Sequence, residues 1–258
     1  MNFLFPANGV HHSAYSTISD PKHALSPLIY PPFNSPPPPI PKPLTWHFLH
    51  DAIQSQLDGE NHVGLGHSLG GALLLYDALK HPGRWNTIVI VEPALFSKKV
   101  HYLTNVIRFL KLEMHLHPMI RLTKHRRETF PDTASVFQRW RNHPSFSAMS
   151  DDALQQFIDA SLIADGNHYK LRFPKDWEMA IYASMCTLDP FIWANLHRLT
   201  SKLIVVAGET SNTFMSGARQ RLKKKAAEFL TIPNTSHLLP FETPQILRTI
   251  IERNSPMI

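Results

Sequence analysis

The sequence has almost no cysteine and no long apolar run. Its one cysteine, Cys186, excludes an internal disulfide. No apolar stretch reaches the roughly 18–20 residues that a membrane-spanning helix needs. The first residues also lack the basic segment and apolar stretch of a secretory signal. These absences predict a soluble protein that we expect in the cytoplasm, with Cys186 as a buried or incidental thiol.

Charged residues are sparse, at 18% of the chain, and the formal net charge of +6 is local. Residues 97–127 contain eight Lys or Arg against one acid, Glu113. Such a basic patch can bind nucleic acid, anionic lipid or an acidic substrate. Because no nucleic-acid motif accompanies it, we expect no nucleic-acid partner. The patch is then a solvated face that allows weak contact with anionic surfaces.

The chain alternates short apolar runs with helical patterns, and its 258 residues suffice for one large domain. Strands are predicted at residues 3–5, 28–30, 62–65, 87–91, 203–208 and 227–230. Helices are predicted at residues 45–57, 69–79, 216–225 and 244–253. The β-branched run at 87–91 is typical of a parallel strand buried on both faces. This order predicts an α/β fold with a doubly wound, mostly parallel sheet.

Strand patterns stop between residues 96 and 190. An apolar stripe with helical spacing runs through Val100, Leu103, Ile107, Leu110 and Met114. Arg108, Lys111 and His115 lie away from that stripe, which predicts a basic amphipathic helix. We therefore predict a helical cap at residues 96–190, inserted into a core formed by residues 1–95 and 191–258.

The most informative motif is Gly-His-Ser-Leu-Gly at residues 66–70. A strand pattern precedes it and a helix pattern follows it, as expected for a nucleophile elbow with Ser68 at the apex. Gly66 and Gly70 leave room for the sharp turn. The serine would also sit at a helix N-terminus, where free N–H groups favour negative charge. The simpler interpretation is a glycine-rich turn with an inert serine.

Other chemically capable residues also follow predicted strands. Glu92 comes directly after the run at 87–91, Ser211 and Asn212 follow Gly208, and His237 follows the last strand. Doubly wound sheets bind ligands at the carboxyl ends of their strands. We therefore expect these residues to meet Ser68 at one rim of the sheet.

Taken together, these motifs resemble the α/β-hydrolase family over nearly the whole chain. Residues 5–9 (Phe-Pro-Ala-Asn-Gly) are similar to its oxyanion loop, and residues 233–237 (Pro-Asn-Thr-Ser-His) to its histidine loop. The family's first two strands have no counterpart. The resemblance implies a serine hydrolase with Ser68 as nucleophile and His237 as base. The oxyanion hole would be formed by the backbone N–H groups of Leu69 and Asn8, or of Gly9 beside it.

The acid of the catalytic triad has more than one candidate in this sequence. The resemblance predicts an aspartate after Gly208, where this chain has Ser211 and Asn212. Some α/β-hydrolases, the haloalkane dehalogenases among them, carry the acid one strand earlier, which here is Glu92. Three alternatives stay open: Glu92 as the acid, which we favour, Asn212 as a neutral orienter, or no working acid. Glu92 also has a structural interpretation, as a strand-end acid that accepts nearby N–H groups.

The function expected from the sequence is hydrolysis of small or medium carboxylic esters. The alternative is a catalytically impaired relative that binds a ligand or partner. Perhydrolysis and carbon–carbon bond hydrolysis use the same apparatus, whereas dehalogenases have aspartate at the place of Ser68. We expect a small-molecule ester or related acyl partner, no cofactor and no metal. Close histidine pairs such as His47 with His50 lack a recognised ligand spacing. The oligomeric state is left open.

Overall fold

A computed structural model describes residues 1–255. Within these residues the strands are β1 (Asn2–Phe5), β2 (Leu25–Pro27), β3 (His62–His67), β4 (Trp85–Val91), β5 (Thr129–Phe130), β6 (Leu162–Asp165), β7 (His168–Leu171), β8 (Lys202–Gly208) and β9 (Glu228–Ile232). The α-helices are α1 (Trp46–Ala52), α2 (Leu69–Lys80), α3 (Lys98–Phe109), α4 (Glu113–Leu116), α5 (Pro118–Lys124), α6 (Thr133–Arg141), α7 (Asp151–Ser161), α8 (Lys175–Ala183), α9 (Asp189–Asn195), α10 (Ser216–Lys225), α11 (Leu239–Glu242) and α12 (Pro244–Asn254).

The main sheet is parallel throughout, in the strand order β2-β1-β3-β4-β8-β9. At its centre, Leu65 of β3 pairs with Val89 of β4, and Val89 pairs with Ile204 of β8. The predicted doubly wound, mostly parallel sheet is therefore confirmed. Because all strands run the same way, the residues that follow β3, β4, β8 and β9 lie at a common rim.

Apolar side chains cover both faces of this sheet. Along β4, Ile88 and Ile90 belong to one buried cluster, whereas Val89 and Val91 belong to the other. The first cluster includes residues of α1, α2, α9 and α10, and the second includes residues of α7 and α12. Alternate side chains of a strand point to opposite faces, so burial of the whole run requires helices on both sides.

Two predicted boundaries were wrong. The strand predicted at 28–30 lies at Leu25–Pro27, because the Ile29 N–H turns away from the sheet to the Gln56 side chain at 2.8 Å. The helix predicted at 45–57 ends at Ala52. It is followed by a short 3-10 turn at Gln54–Gln56 that the same apolar spacing does not distinguish from α-helix.

The insertion between β4 and β8 is mostly helical but contains a small antiparallel sheet in the order β5-β7-β6. The sequence did not predict these strands, because they are only two to four residues long. The ends of the insertion meet where the Phe96 N–H donates to Asp189 Oδ1 at 2.6 Å. The domain limits at 95–96 and 190–191 stay predictions.

The basic amphipathic helix predicted here is α3, and its apolar stripe is largely exposed. No side chain of α3 is buried, and Leu103 and Leu110 are 57% and 55% exposed. The helix is attached through Arg108 instead, whose guanidinium donates to the carbonyl oxygens of Ala183 and Met185 at 3.1 and 2.9 Å. Arg108 therefore contacts the protein, whereas Lys111 and His115 are exposed together with much of the apolar face.

Candidate active site

Ser68 lies at the turn from β3 into α2, with a positive φ of 54° and ψ of −115°. A non-glycine residue in this region is strained and must be held by its surroundings. The backbone of Ser68 is fixed on both sides: its N–H donates to Val91 O at 3.0 Å, and its carbonyl accepts from Ala94 N at 2.9 Å. The strain is therefore sustained by the neighbouring end of β4.

The glycines of the motif allow the turn because the backbone packs without room for side chains. A Cβ at Gly70 would lie 1.9 Å from the carbonyl oxygen of Phe5, and one at Gly66 would lie 2.6 Å from that of Gly70. Gly208 is a third such position, since a Cβ there would lie 2.5 Å from the Thr235 and Ser236 carbonyl oxygens. These contacts bring the ends of β1, β3 and β8 close to one another and to the loop that carries His237.

The side chains of Ser68, His237 and Glu92 form a continuous chain of contacts. His237 Nε2 lies 3.1 Å from Ser68 Oγ, and His237 Nδ1 lies 3.2 Å from Glu92 Oε2. Because an ionised carboxylate only accepts, Nδ1 carries the ring proton in the neutral imidazole. Nε2 is then the acceptor that faces the Ser68 hydroxyl. Three residues that are remote in sequence thus have the arrangement of a nucleophile, a base and an orienting acid.

Glu92 is fully buried and its carboxylate is surrounded by donors. Oε1 accepts from Gly208 N at 2.8 Å and lies 3.7 Å from Arg219 Nη2. Oε2 accepts from the Ser211 hydroxyl as well as from His237. Both oxygens of this buried carboxylate are therefore hydrogen-bonded, as a buried polar group requires. The sequence placed Ser211 at this rim but did not show that it contacts Glu92, and no local pattern marked Arg219.

Asn212 is exposed, and no hydrogen bond joins its side chain to His237 within residues 1–255. The loop after β8 therefore places the preceding Ser211 beside the carboxylate of Glu92 and turns Asn212 to solvent. Of the alternatives for the orienting group, Glu92 is the one that the structure brings to His237.

The loop after β1 lies beside the elbow, as the contact between Gly70 and Phe5 shows. Leu69 is the first residue of α2, and its N–H has no acceptor within the helix. The Asn8 N–H has no hydrogen-bond partner within the described residues 1–255. The Ala7 N–H, by contrast, already donates to Tyr15 Oη at 3.0 Å. Leu69 and Asn8 therefore remain available as donors at this rim, and the Gly9 N–H likewise has no partner within these residues.

A buried network joins this loop to the His237 loop through His67, the residue before the serine. His67 Nε2 lies 2.9 Å from the carbonyl oxygen of His237, so it must donate. His67 Nδ1 then accepts from the Tyr15 hydroxyl at 2.8 Å, and that hydroxyl accepts from Ala7 N. Burial, with a smaller contribution from nearby His237, holds the pKa of His67 well below its usual range. His67 is thus neutral, and its hydrogen bond holds the backbone of His237 in place.

The cap contacts the same loop through Glu178 of α8, which is 4% exposed. A Cβ at Gly9 would lie 3.3 Å from the Glu178 carboxyl carbon. The carboxylate is neutralised by the guanidinium of Arg126 and accepts from Thr123 Oγ1 at 3.2 Å. A buried, paired charge from the insertion therefore packs directly on the loop that offers the Asn8 N–H.

Two groups of side chains that could hold a metal ion lie apart from Ser68, His237 and Glu92 within residues 1–255: His50 with Asp77 and His81, and Asp20 with His23 and Glu252. His50 Nε2 and His81 Nε2 lie 2.8 and 3.8 Å from Asp77 Oδ1. The Asp77 carboxylate also accepts from Arg84 Nη1 at 2.8 Å and Trp85 Nε1 at 2.7 Å. Since a guanidinium already neutralises this carboxylate, the Asp77 group is better explained as a buried ion-pair network.

A strained serine at a strand–helix turn, with a histidine on the last loop of a parallel sheet, defines the α/β class of hydrolases. Residues 9–248 match the model of the alpha/beta hydrolase family, so the chain belongs to that family. The sequence-based family assignment is therefore confirmed.

Individual relatives are distant. The chain is 22% identical over 213 residues to a Saccharomyces cerevisiae protein named peroxisomal membrane protein LPX1, covering 74% of this chain and 51% of the relative. It thus spans about half the length of that relative. The structure of peroxisomal alpha-beta-hydrolase Lpx1 from the same yeast is similar with a TM-score of 0.73 at 17% identity, covering 100% of this chain and 78% of the other.

Two further solved structures share the fold. A thioesterase domain from the curacin biosynthetic pathway has a TM-score of 0.73 at 13% identity, covering 97% of this chain and 90% of the other. An esterase of Mycobacterium tuberculosis has a TM-score of 0.69 at 14% identity, covering 98% and 83%. At this identity the likeness establishes the fold alone. Separately, the helices within residues 1–255 are all too short or too polar to span a bilayer.

Proposed function

We propose that this hydrolase cleaves carboxylic esters through an acyl-enzyme formed on Ser68. The observation that carries the proposal is the unbroken series of contacts from the Ser68 hydroxyl through both ring nitrogens of His237 to Glu92. A serine hydroxyl is a weak nucleophile unless a base removes its proton, and this arrangement supplies the base.

In the first half-reaction, Ser68 Oγ attacks the ester carbonyl carbon and its proton passes to His237 Nε2. Glu92 stabilises the resulting imidazolium by its charge. The tetrahedral intermediate then collapses: the bond to the alcohol oxygen breaks, and the imidazolium returns its proton to that leaving oxygen. In the second half-reaction, water attacks the acyl carbon, His237 accepts its proton, and Ser68 leaves with that proton as the free hydroxyl.

The negative oxygen of each intermediate needs fixed donors. We assign this role to the backbone N–H groups of Leu69 and Asn8, which come from the two loops packed together at the elbow. Arg126 supports the second donor, since without it the Glu178 carboxylate would stand unneutralised beside Gly9. A neighbouring negative charge would oppose formation of the oxyanion.

The position of Glu92 favours an active enzyme over the catalytically impaired alternative. Asn212 is one of three grounds for that alternative, with Pro6 and the missing first strands, and its side chain is exposed. For the substrate we propose a small or medium ester with an apolar acyl or alcohol part.

For the location we propose the cytoplasm on the sequence evidence. The relative of 22% identity is named as peroxisomal, so the peroxisome is the competing compartment. A fluorescent fusion imaged beside a peroxisomal marker separates the two.

The proposal is tested by initial rates on p-nitrophenyl acetate and butyrate and by labelling with a fluorophosphonate probe. The wild type should turn over the esters and label rapidly, whereas Ser68→Ala should do neither above background. Ser147→Ala is the matched control, because Ser147 is exposed on the cap. Equal rates for wild type and Ser68→Ala would refute the proposal, and absence of labelling in the folded wild type would support the impaired alternative.

A further inference from the structure

Exposed large apolar side chains are concentrated on one part of the cap. Of the twelve such residues in the described part of the chain, all but Met1 and Met215 lie between residues 102 and 122. They are Tyr102, Leu103, Val106, Phe109, Leu110, Leu112, Met114, Leu116, Met119 and Leu122. Single exposed apolar residues are ordinary, but a contiguous group marks an interaction surface. We call the surface of residues 98–127 the cap face.

On α3 these side chains share one side of the helix. Tyr102, Leu103, Val106 and Phe109 follow the spacing that places residues on a common face. Phe109 is 86% exposed and Tyr102 is 73% exposed. The opposite side is attached to the protein through Arg108, so this apolar face is directed to solvent.

The cap face is also strongly basic. Its exposed cations are Lys98, Lys99, Lys111, Arg121, Lys124 and Arg127. No ion pair neutralises them within residues 1–255, whereas Arg126 is paired with Glu178. Glu113 is the single acid of residues 97–127. Uncompensated cations therefore alternate with protruding apolar side chains over three consecutive helices.

We propose that the cap face docks on an anionic lipid bilayer. Amphipathic helices with basic residues beside aromatic and leucine side chains bury the apolar groups at the headgroup boundary and attract anionic lipid. A second copy of this chain is disfavoured, because a symmetric contact would oppose the same cations. A bilayer satisfies both features at once, since Phe109 and Leu103 enter the lipid while Lys99 stays at the headgroups.

The cap face is connected by side-chain contacts to the rim that holds Ser68. The cap face includes α5, whose Thr123 donates to Glu178 of α8, and Glu178 packs on Gly9 of the loop after β1. The surface that would meet lipid is thus two contacts away from the proposed oxyanion donor. The prediction of vesicle binding does not depend on the proposed catalysis at Ser68.

The test is co-sedimentation of the full chain with vesicles of phosphatidylcholine alone or mixed with phosphatidylserine, at low and high salt. We expect binding to the mixed vesicles that weakens with salt. Each near-surface cation contributes about fivefold in partitioning, so the triple variant Lys98→Gln, Lys99→Gln and Lys111→Gln should bind on the order of 100-fold more weakly. The double variant Leu103→Ser and Phe109→Ser should bind the mixed vesicles at least about tenfold more weakly.

A matched control removes the same number of charges elsewhere. Lys223→Gln, Lys224→Gln and Lys225→Gln lie on α10, outside the cap, and should bind as the wild type does. Circular dichroism and melting temperature check that each variant folds. The proposal is overturned if the wild type binds no better to vesicles that contain phosphatidylserine than to phosphatidylcholine alone. It is also overturned if the α10 control loses as much vesicle binding as the cap variants.

Evidence for either of two other occupants of the cap face would also overturn the proposal of bilayer docking. One is a dimer that Phe109→Ser dissociates, in a protein that does not bind vesicles. The other is retention on an immobilised acidic polypeptide without vesicle binding, which would indicate an acidic protein partner.

Discussion

Replacing Glu92 by Gln tests the arrangement at the rim with almost no change in shape. Oε1 of Glu92 accepts from the Gly208 N–H at 2.8 Å, so in the variant the amide oxygen should keep that place. The amide nitrogen then takes the place of Oε2, where it faces the N–H of His237 and the hydroxyl of Ser211. Donor would oppose donor at a fully buried position.

The imidazole of His237 can relieve this conflict by moving its proton to Nε2. It would then present an N–H to Ser68, and it could no longer accept the serine proton. An acid-to-amide change of this kind costs about 10⁴-fold in turnover. That is about 5 kcal/mol of transition-state stabilisation.

The assay is the ester hydrolysis rate of Glu92→Gln across pH, with the thermal midpoint to show that the fold survives. Asn212→Ala is the control, because its side chain is exposed and should leave the rate within about twofold of wild type. Retention of more than about a tenth of the wild-type rate by Glu92→Gln would refute the reasoning. A large loss of ester hydrolysis rate in Asn212→Ala would indicate that the loop after β8 supplies the group that orients His237.

Two further predictions concern buried groups near the base of the cap and the elbow. Burial raises the pKa of Asp189 to about 7, so between about pH 4 and 7 the folded state holds a proton that the unfolded state lacks, and stability falls as pH rises. Asparagine at position 189 cannot ionise, so the melting temperature of Asp189→Asn minus that of the wild type should be larger at pH 8 than at pH 5. The same difference at the two pH values would contradict this prediction. Tyr15→Phe leaves the Ala7 N–H and His67 Nδ1 unpaired and should lower the free energy of unfolding by about 1–3 kcal/mol in urea titrations. A loss below about 0.5 kcal/mol would show that the hydroxyl does not bridge them.

Part of the site could be predicted because its signals are local. Strand, tight turn and helix around Ser68 are encoded by adjacent residues, and the small side chains at Gly66 and Gly70 are needed for that turn alone. The placement of His237 in a loop after the last strand followed from the same kind of pattern. These features depend on interactions within one segment, which a sequence displays directly.

The cap shows where local patterns fail. An apolar stripe on α3 has the same spacing whether it faces the protein or solvent, and only the packing of Arg108 against α8 decides which. The strands β5, β6 and β7 are too short to give a period, and they exist because they pair with one another. The sequence could show that these helices are basic and amphipathic, but it could not show which side is exposed.

The choice between Glu92 and Asn212 depended on tertiary structure. Amino-acid order determined the family, the parallel sheet and the serine turn, because periodicity and glycine placement are properties of single segments. Which side chain meets the ring of His237 was decided by strand register and by how closely loops pack around Gly208. Those distances result from contacts among residues more than a hundred positions apart, and no short stretch of sequence contains them.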